Sequence, residues 1–129
     1  MNHLHALIIE DSASDTAVLQ SLLGRLGIQY DLISDSRHVA SILPSIEPPS
    51  IIFLDLEMPG VNGYQVLTQI HSLPGYGNVP VVAYTAHNSE MSHARTAGFH
   101  SFLGKPLRGG EFADQLERIL NDDPVWEVR

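Results

Sequence analysis

Ile51-Ile52-Phe53-Leu54-Asp55-Leu56-Glu57-Met58-Pro59-Gly60 is the stretch on which the fold turns. Four large apolar residues in succession, with no polar alternation, read as a short strand buried on both faces, as in the middle of a parallel sheet. The strand ends on Asp55, and the Pro59-Gly60 pair then breaks the chain into a loop. A carboxylate is thus fixed where a buried strand emerges into an exposed turn. In open α/β sheets ligands and chemistry gather at the carboxyl ends of the strands, so Asp55 is the first candidate for a functional residue.

The same pattern extends in both directions. Leu4 to Ile9 holds the apolar run Ala6-Leu7-Ile8-Ile9 and ends in Glu10-Asp11. Ser12-Ala13-Ser14-Asp15 supplies caps and an acidic first turn for a helix with apolar positions at Val18, Leu19, Leu22, Leu23 and Leu26, closed by Gly27. Tyr30 to Ile33 is a short strand. Ser34-Asp35-Ser36 caps a second helix through Val39, Ile42 and Leu43, which Pro44 limits and Pro48-Pro49 keeps from continuing. Beyond Gly60, Asn62-Gly63 opens a helix through Tyr64, Val66, Leu67 and Ile70. Val79 to Tyr84 is a fourth strand, with Pro80 tolerable at its start, and it runs into Thr85-Ala86-His87-Asn88. A weakly apolar helix from Ser89 to Ala97 turns Met91 and Ala94 inward and stops at Gly98. Phe99 to Leu103 is the fifth strand, Gly104-Lys105-Pro106 its exit, and Phe112, Leu116, Ile119 and Leu120 mark the last helix.

Strands alternating with helices imply a parallel sheet covered on both faces, with right-handed crossovers. The expected fold is a three-layer α/β/α domain around a doubly wound five-stranded sheet of order 2-1-3-4-5, flavodoxin-like in architecture. Residues 1–121 form the domain and residues 122–129 a tail, read as frayed or loosely docked. Trp126 in that tail is read as packing on its own domain, with a docking or dimer anchor as the alternative.

Composition narrows the function. A net charge of −8, with six scattered arginines and a single lysine, argues against binding a nucleic-acid backbone. No apolar run approaches the roughly 20 residues a bilayer span needs, and the amino terminus lacks the pattern of a secretory signal. Cysteine is absent, which suits a reducing compartment, and a cytoplasmic location is expected.

What stands at the strand exits carries the chemistry. Glu10 and Asp11 follow the first strand, Asp55 the third, Thr85 the fourth and Lys105 the fifth. In a 2-1-3-4-5 sheet the first and third strands are neighbours, so the three carboxylates converge, flanked by Thr85 and Lys105. Three carboxylates this close need a cation or a proton to offset their charge. Oxygen ligands in a compact acidic cluster select a hard ion such as Mg²⁺, or Mn²⁺. Asp55 is suited to attack phosphorus and form an acyl phosphate. Lys105 is a point charge suited to phosphate oxygens, and Thr85 offers a hydroxyl donor.

With these residues in place, the chain resembles the receiver domains of two-component response regulators, in the stand-alone form. The resemblance is carried by Leu7-Ile8-Ile9-Glu10-Asp11, Ile51 through Gly63, Val81-Val82-Ala83-Tyr84-Thr85-Ala86, Ala97-Gly98-Phe99 and Gly104-Lys105-Pro106, and spans almost the whole chain. It implies that Asp55 accepts a phosphoryl group from a phosphohistidine on a sensor histidine kinase or a histidine phosphotransfer domain. Glu10, Asp11, Asp55 and the backbone carbonyl of Glu57 would hold Mg²⁺. Thr85 and Lys105 would bind the phosphoryl oxygens, and Thr85 with Phe102 would form the switch. Glu57 and His87, two positions beyond Asp55 and Thr85, would tune hydrolysis of the acyl phosphate. The implied protein is a signalling module rather than an enzyme in the usual sense. Its output would pass through protein contacts on the face of helix four, strand five and helix five, to a downstream partner or a homodimer formed on activation.

Departures from the family pattern are few. Glu10 replaces a shorter acid, Glu57 is bulky and acidic, and Pro44 shortens a helix on a partner-facing side. The nine residues Asn121–Arg129 are too few for a helix-turn-helix after the last helix. Three other readings fit these residues less well. An aspartate-nucleophile phosphatase of the haloacid dehalogenase type wants a second aspartate where Glu57 stands. A flavin binder wants a Ser/Thr/Gly-rich phosphate loop where Glu10-Asp11 stands. A receiver acting as a phosphorylation-independent scaffold would typically lack one of the five site residues. The histidines, His3 with His5 and His87 with His93, show no third ligand at transition-metal spacing.

Overall fold

The computed structural model describes residues 3–127. The apolar runs form parallel strands: β1 (His5–Ile9), β2 (Gln29–Ile33), β3 (Ile51–Asp55), β4 (Val81–Thr85) and β5 (Ser101–Gly104). Between them lie α1 (Ala13–Arg25), α2 (Val39–Ile42), α3 (Gly63–His71) and α4 (Met91–Ala97), followed by α5 (Gly109–Leu120). The sheet order is β2-β1-β3-β4-β5-β6, where β6 is the added strand Trp126–Glu127.

Helices cover both faces because alternate residues of each central strand point to opposite sides and, apart from His5, Asp55 and Thr85 at the strand ends, they are apolar. Ile51 and Phe53 pack with Leu19 and Leu23 of α1 and Phe112, Leu116 and Ile119 of α5. Ile52 and Leu54 pack with Val39 of α2, Val66, Leu67 and Ile70 of α3 and Ala94 of α4. Each such side chain, fully buried, contributes roughly 1.5–3 kcal/mol.

Local signals set the helix ends. Ser12 caps α1 by accepting from the Asp15 N–H, and Asn62 and Gln65 form a reciprocal capping box at the start of α3. Gly98 closes α4 at φ 107°, a left-handed conformation that favours glycine. The second helix is a single turn, flanked by 3₁₀ turns at Ser36–His38 and Leu43–Ser45, with Pro44 in the latter. Pro44 therefore acts as expected.

The expectations of five strands and a frayed tail are corrected. Asp122, at φ 61°, turns the chain back, Val125 is fully buried among α1 and α5 residues, and Trp126 pairs with Phe102 in parallel register. A strand of two residues is too short to leave a period-two signal, and Pro124 just before it reads as a breaker. Residues 128 and 129 of the expected tail lie outside the described residues. Among the described residues no helix is long and apolar enough to cross a membrane.

Candidate functional site

Strand register brings the candidate residues to one rim. Ile9 pairs with Leu54, Asp55 with Tyr84, and Thr85 with Gly104. The residues at or just beyond these ends, Glu10, Asp11, Asp55, Thr85 and Lys105, thus come together at the carboxyl edge of the sheet. A cleft of ≈ 470 Å³ opens there, lined among others by Asp11, Asp15, Asp55, Glu57 and Lys105. A slightly larger cleft of ≈ 540 Å³ at the opposite edge is lined by Ser50, Asn78 and His100 among others, and brings no cluster of acids together.

Oxygens of Glu10, Asp11 and Asp55 lie within 4.8 Å of one another, with Glu10 and Asp55 buried and Asp11 exposed at the mouth. Burial drives the Glu10 carboxyl up to about 7, and its hydrogen bond with Asp55 acts in the same direction. The donor set is all oxygen, crowded, and open on one side. Those are the ligands of a hard dication that keeps part of its water shell, so the residues present fit Mg²⁺ or Mn²⁺.

Lys105 sits inside this ring of acids. Its Nζ donates to Glu10 Oε1 at 2.9 Å and to Asp15 Oδ2 at 2.7 Å, stands 3.6 Å from Asp55 Oδ1, and lies over the Tyr84 ring. Burial alone would lower its pKa, but the hydrogen bonds to Asp15 and Glu10 outweigh burial and hold it above the ordinary lysine value. Burial also pushes the Tyr84 phenol well up. Asp15 is the site residue that sequence reasoning missed, having been read only as an acid in a helical first turn. The signal was its place one turn beyond Asp11, which carries its carboxylate back toward the strand exits.

Thr85 is fully buried, and its hydroxyl donates to Glu57 Oε1 at 2.7 Å while accepting from the His87 N–H at 3.1 Å. His87 Nε2 reaches the other Glu57 oxygen at 2.5 Å. The two positions expected to tune hydrolysis are therefore joined to each other and to Thr85. The Glu57 backbone points its N–H at Asp55 Oδ1, at 3.0 Å. Glycines allow the loop behind Asp55 to close. A Cβ at Gly63 would stand 2.9 Å from Leu56 Cα and 3.0 Å from the Asp55 carbonyl, so only glycine lets α3 begin this close to the strand end. Ser36 pins the same loop, donating to the Pro59 carbonyl and accepting from the Val61 N–H.

Phe102, in β5 beside β6, is fully buried, so it already lies inward, and the aromatic ring at the expected switch position is not on the surface. His5 pairs with Asp31 across β1 and β2, and His93 stacks on Tyr64 at 4.4 Å. Among the described residues the one cluster of three or more potential metal ligands is Glu10, Asp11 and Asp55.

A parallel α/β/α sheet with acids, a threonine and a lysine gathered at its carboxyl rim is an arrangement suited to a divalent cation. The family behind it follows from comparison with known proteins. Residues 6–117 match the model of the response regulator receiver domain, and the chain belongs to that family, whose members are signalling modules. It is 29% identical over 116 residues to Two-component response regulator 24 of Arabidopsis thaliana, covering 90% of this chain and 84% of that protein. It is 26% identical over 118 residues to Two-component response regulator ORR11 of rice, covering 90% and 80%. In fold it is similar to a putative response regulator from Chloroflexus aurantiacus, with TM-score 0.83 and 20% identity over 92% of this chain and 98% of the other. It is also similar to the receiver domain of the sensor histidine kinase PA1611 from Pseudomonas aeruginosa, with TM-score 0.82 and 23% identity over 92% and 98%. That structure carries a magnesium ion coordinated in its active-site cleft.

Proposed function

We propose that this protein is a phosphorylatable receiver that takes a phosphoryl group from a phosphohistidine onto Asp55, in a two-component or phosphorelay pathway. The observation that carries the reading is the convergence of Glu10, Asp11 and Asp55 with Lys105 at one rim of the sheet.

Each residue has a role that follows from its position. Asp55, at the floor of an open cleft, presents a carboxylate oxygen to phosphorus. The O–P bond forms as the P–N bond to the donor imidazole breaks, and the imidazole leaves with that electron pair. Such a transfer asks chiefly for positioning and for opposite charge around the phosphoryl oxygens. Lys105 supplies one such charge, and Thr85 one hydroxyl once it leaves Glu57. Glu10, Asp11, Asp55 and the Glu57 backbone carbonyl would hold Mg²⁺, which when bound neutralises charge on the transferring group. Glu57, in the lining of the cleft, and His87, which pairs with it, govern how water reaches the acyl phosphate, so they set its lifetime. The partners are a histidine kinase or phosphotransfer domain upstream and a protein target downstream.

The test is transfer from a purified histidine-phosphorylated donor to this protein. Loss of label from the donor and its gain, in hydroxylamine-sensitive form, on wild type but not on Asp55→Asn is the expected result. Equal labelling of the two proteins would exclude Asp55 as the acceptor.

A further inference from the structure

We infer that the carboxyl-terminal strand β6 is an intramolecular ligand of the face formed by α4, β5 and α5, seated on Phe102, and that phosphorylation of Asp55 releases it. The inference rests on the receiver reading above and adds what that face holds in the resting protein.

The segment is fastened across the whole face. The Phe102 N–H donates to the Val125 carbonyl at 2.8 Å, and the Val125 N–H to Ser101 Oγ at 2.9 Å. Val125 is buried on the α1 and α5 side of the sheet, whereas Trp126 packs on the opposite side against the cluster that contains Ala83, Ala94 and Phe102. From α4, Arg95 lies over the Trp126 ring at 4.5 Å. From α5, Arg118 donates to Asp123 Oδ2 and to the Pro124 carbonyl, and its Nη1 stands 3.6 Å from Glu127 Oε1. While seated, β6 satisfies the edge of β5 that would otherwise offer unpaired backbone groups to another chain.

The coupling to the site runs through adjacent register pairs. Phe102 pairs with Trp126 on one side and with Ala83 on the other, two residues before Thr85. The Lys105 N–H donates to the Thr85 carbonyl at 2.8 Å. Drawing Thr85 and Lys105 onto phosphoryl oxygens displaces the ends of β4 and β5, and with them the seat of Trp126. A strand of two residues, held in part by exposed arginine pairs of small net value, is an element that a modest differential interaction can move.

Trp126 is the only tryptophan in the chain, so its emission reports this segment alone. The full-length protein is treated with acetyl phosphate and Mg²⁺, and intact mass, tryptophan emission and hydrogen exchange at the Phe102 amide are read on the same sample. The expected result is a red shift of Trp126 emission and faster exchange at Phe102 in step with the mass gain. Arg95→Ala shows part of the shift before phosphorylation, and Asp55→Asn shows neither shift nor mass gain with the phosphodonor. Full mass gain with unchanged emission and unchanged Phe102 protection overturns the inference while leaving the receiver reading intact. Absence of any mass gain overturns both.

Discussion

The Thr85 hydroxyl is bonded to the carboxylate of Glu57, at 2.7 Å, and not to Asp55. Thr85 is therefore engaged before any phosphoryl group arrives, and the Glu57 carboxylate, held also by His87, places a negative charge at the mouth of the site. Glu57→Ala removes both obstacles. At a half-exposed position the relieved repulsion is worth ~1 kcal/mol, so labelling by acetyl phosphate is expected to accelerate about fivefold, with little change in stability. Initial rates of mass gain check this, and slower labelling would contradict it.

Lys105 is the lone cation among three carboxylates, at 2.9 Å from Glu10, 2.7 Å from Asp15 and 3.6 Å from Asp55. Lys105→Ala leaves those carboxylates facing one another without a counter-charge. In metal-free buffer the variant is expected to lose about 3 kcal/mol in urea denaturation. Mg²⁺ should restore more stability to the variant than it adds to wild type, while the response of Phe102 to phosphorylation is weakened. An equal effect of Mg²⁺ on both proteins would count against this account of the charges.

The Glu10 carboxyl is driven up to about 7 from an ordinary value of 4.5 by burial first and by its hydrogen bond with Asp55 second, against the opposing pull of Lys105 and the Ser12 N–H. Asp11 completes the set of charges facing it. Between those two values the folded protein keeps a proton that the unfolded chain releases. The stabilisation is thus fully present below about pH 4.5 and is lost as pH rises through about 7. In metal-free buffer this amounts to on the order of 3 kcal/mol. Urea midpoints measured against pH should fall across that window in wild type and stay flatter in Glu10→Gln; identical curves would remove Glu10 as the cause.

Gly63 and Gly110 both lie at helix starts and make opposite predictions. A Cβ at Gly63 would meet backbone atoms of Asp55 and Leu56 at 3.0 Å or less, whereas one at Gly110 meets nothing within 4 Å. Gly63→Ala is expected to cost about 1–3 kcal/mol by overpacking and to slow phosphorylation by shifting Asp55. Gly110→Ala should be neutral or stabilise by up to ~1 kcal/mol. Thermal denaturation of the two variants distinguishes them.

Much of this was legible in the chain because its signals are local. The unbroken apolar run at Ile51–Leu54, cut short by Pro59-Gly60, reads as a strand buried on both faces, and the alternation of such runs with capped helices implies a parallel sheet covered on both sides, whereas the strand order 2-1-3-4-5 came with the flavodoxin-like class and not from the alternation. Glu10, Asp11, Asp55, Thr85 and Lys105 could be gathered because each follows directly from a strand end. What was not legible depends on side-chain reach between elements. Asp15 takes Lys105 from a helix, and Glu57 takes Thr85 from a neighbouring loop, and no periodicity records either bond. The sixth strand escaped because it is two residues long and follows Pro124. Its seat depends on the burial of Val125 and on Arg95, which reaches the Trp126 ring from a helix far earlier in the chain.

The central claim is that Asp55 accepts a phosphoryl group in a site completed by a divalent ion. The most direct measurement is intact mass after incubation with acetyl phosphate, with and without Mg²⁺, on wild type and on Asp55→Asn. The account predicts a gain of one phosphoryl group that requires both Mg²⁺ and Asp55 and is lost on hydroxylamine treatment. A gain of the same size in Asp55→Asn, or no gain in wild type whose Mg²⁺ binding has been verified separately, would contradict it.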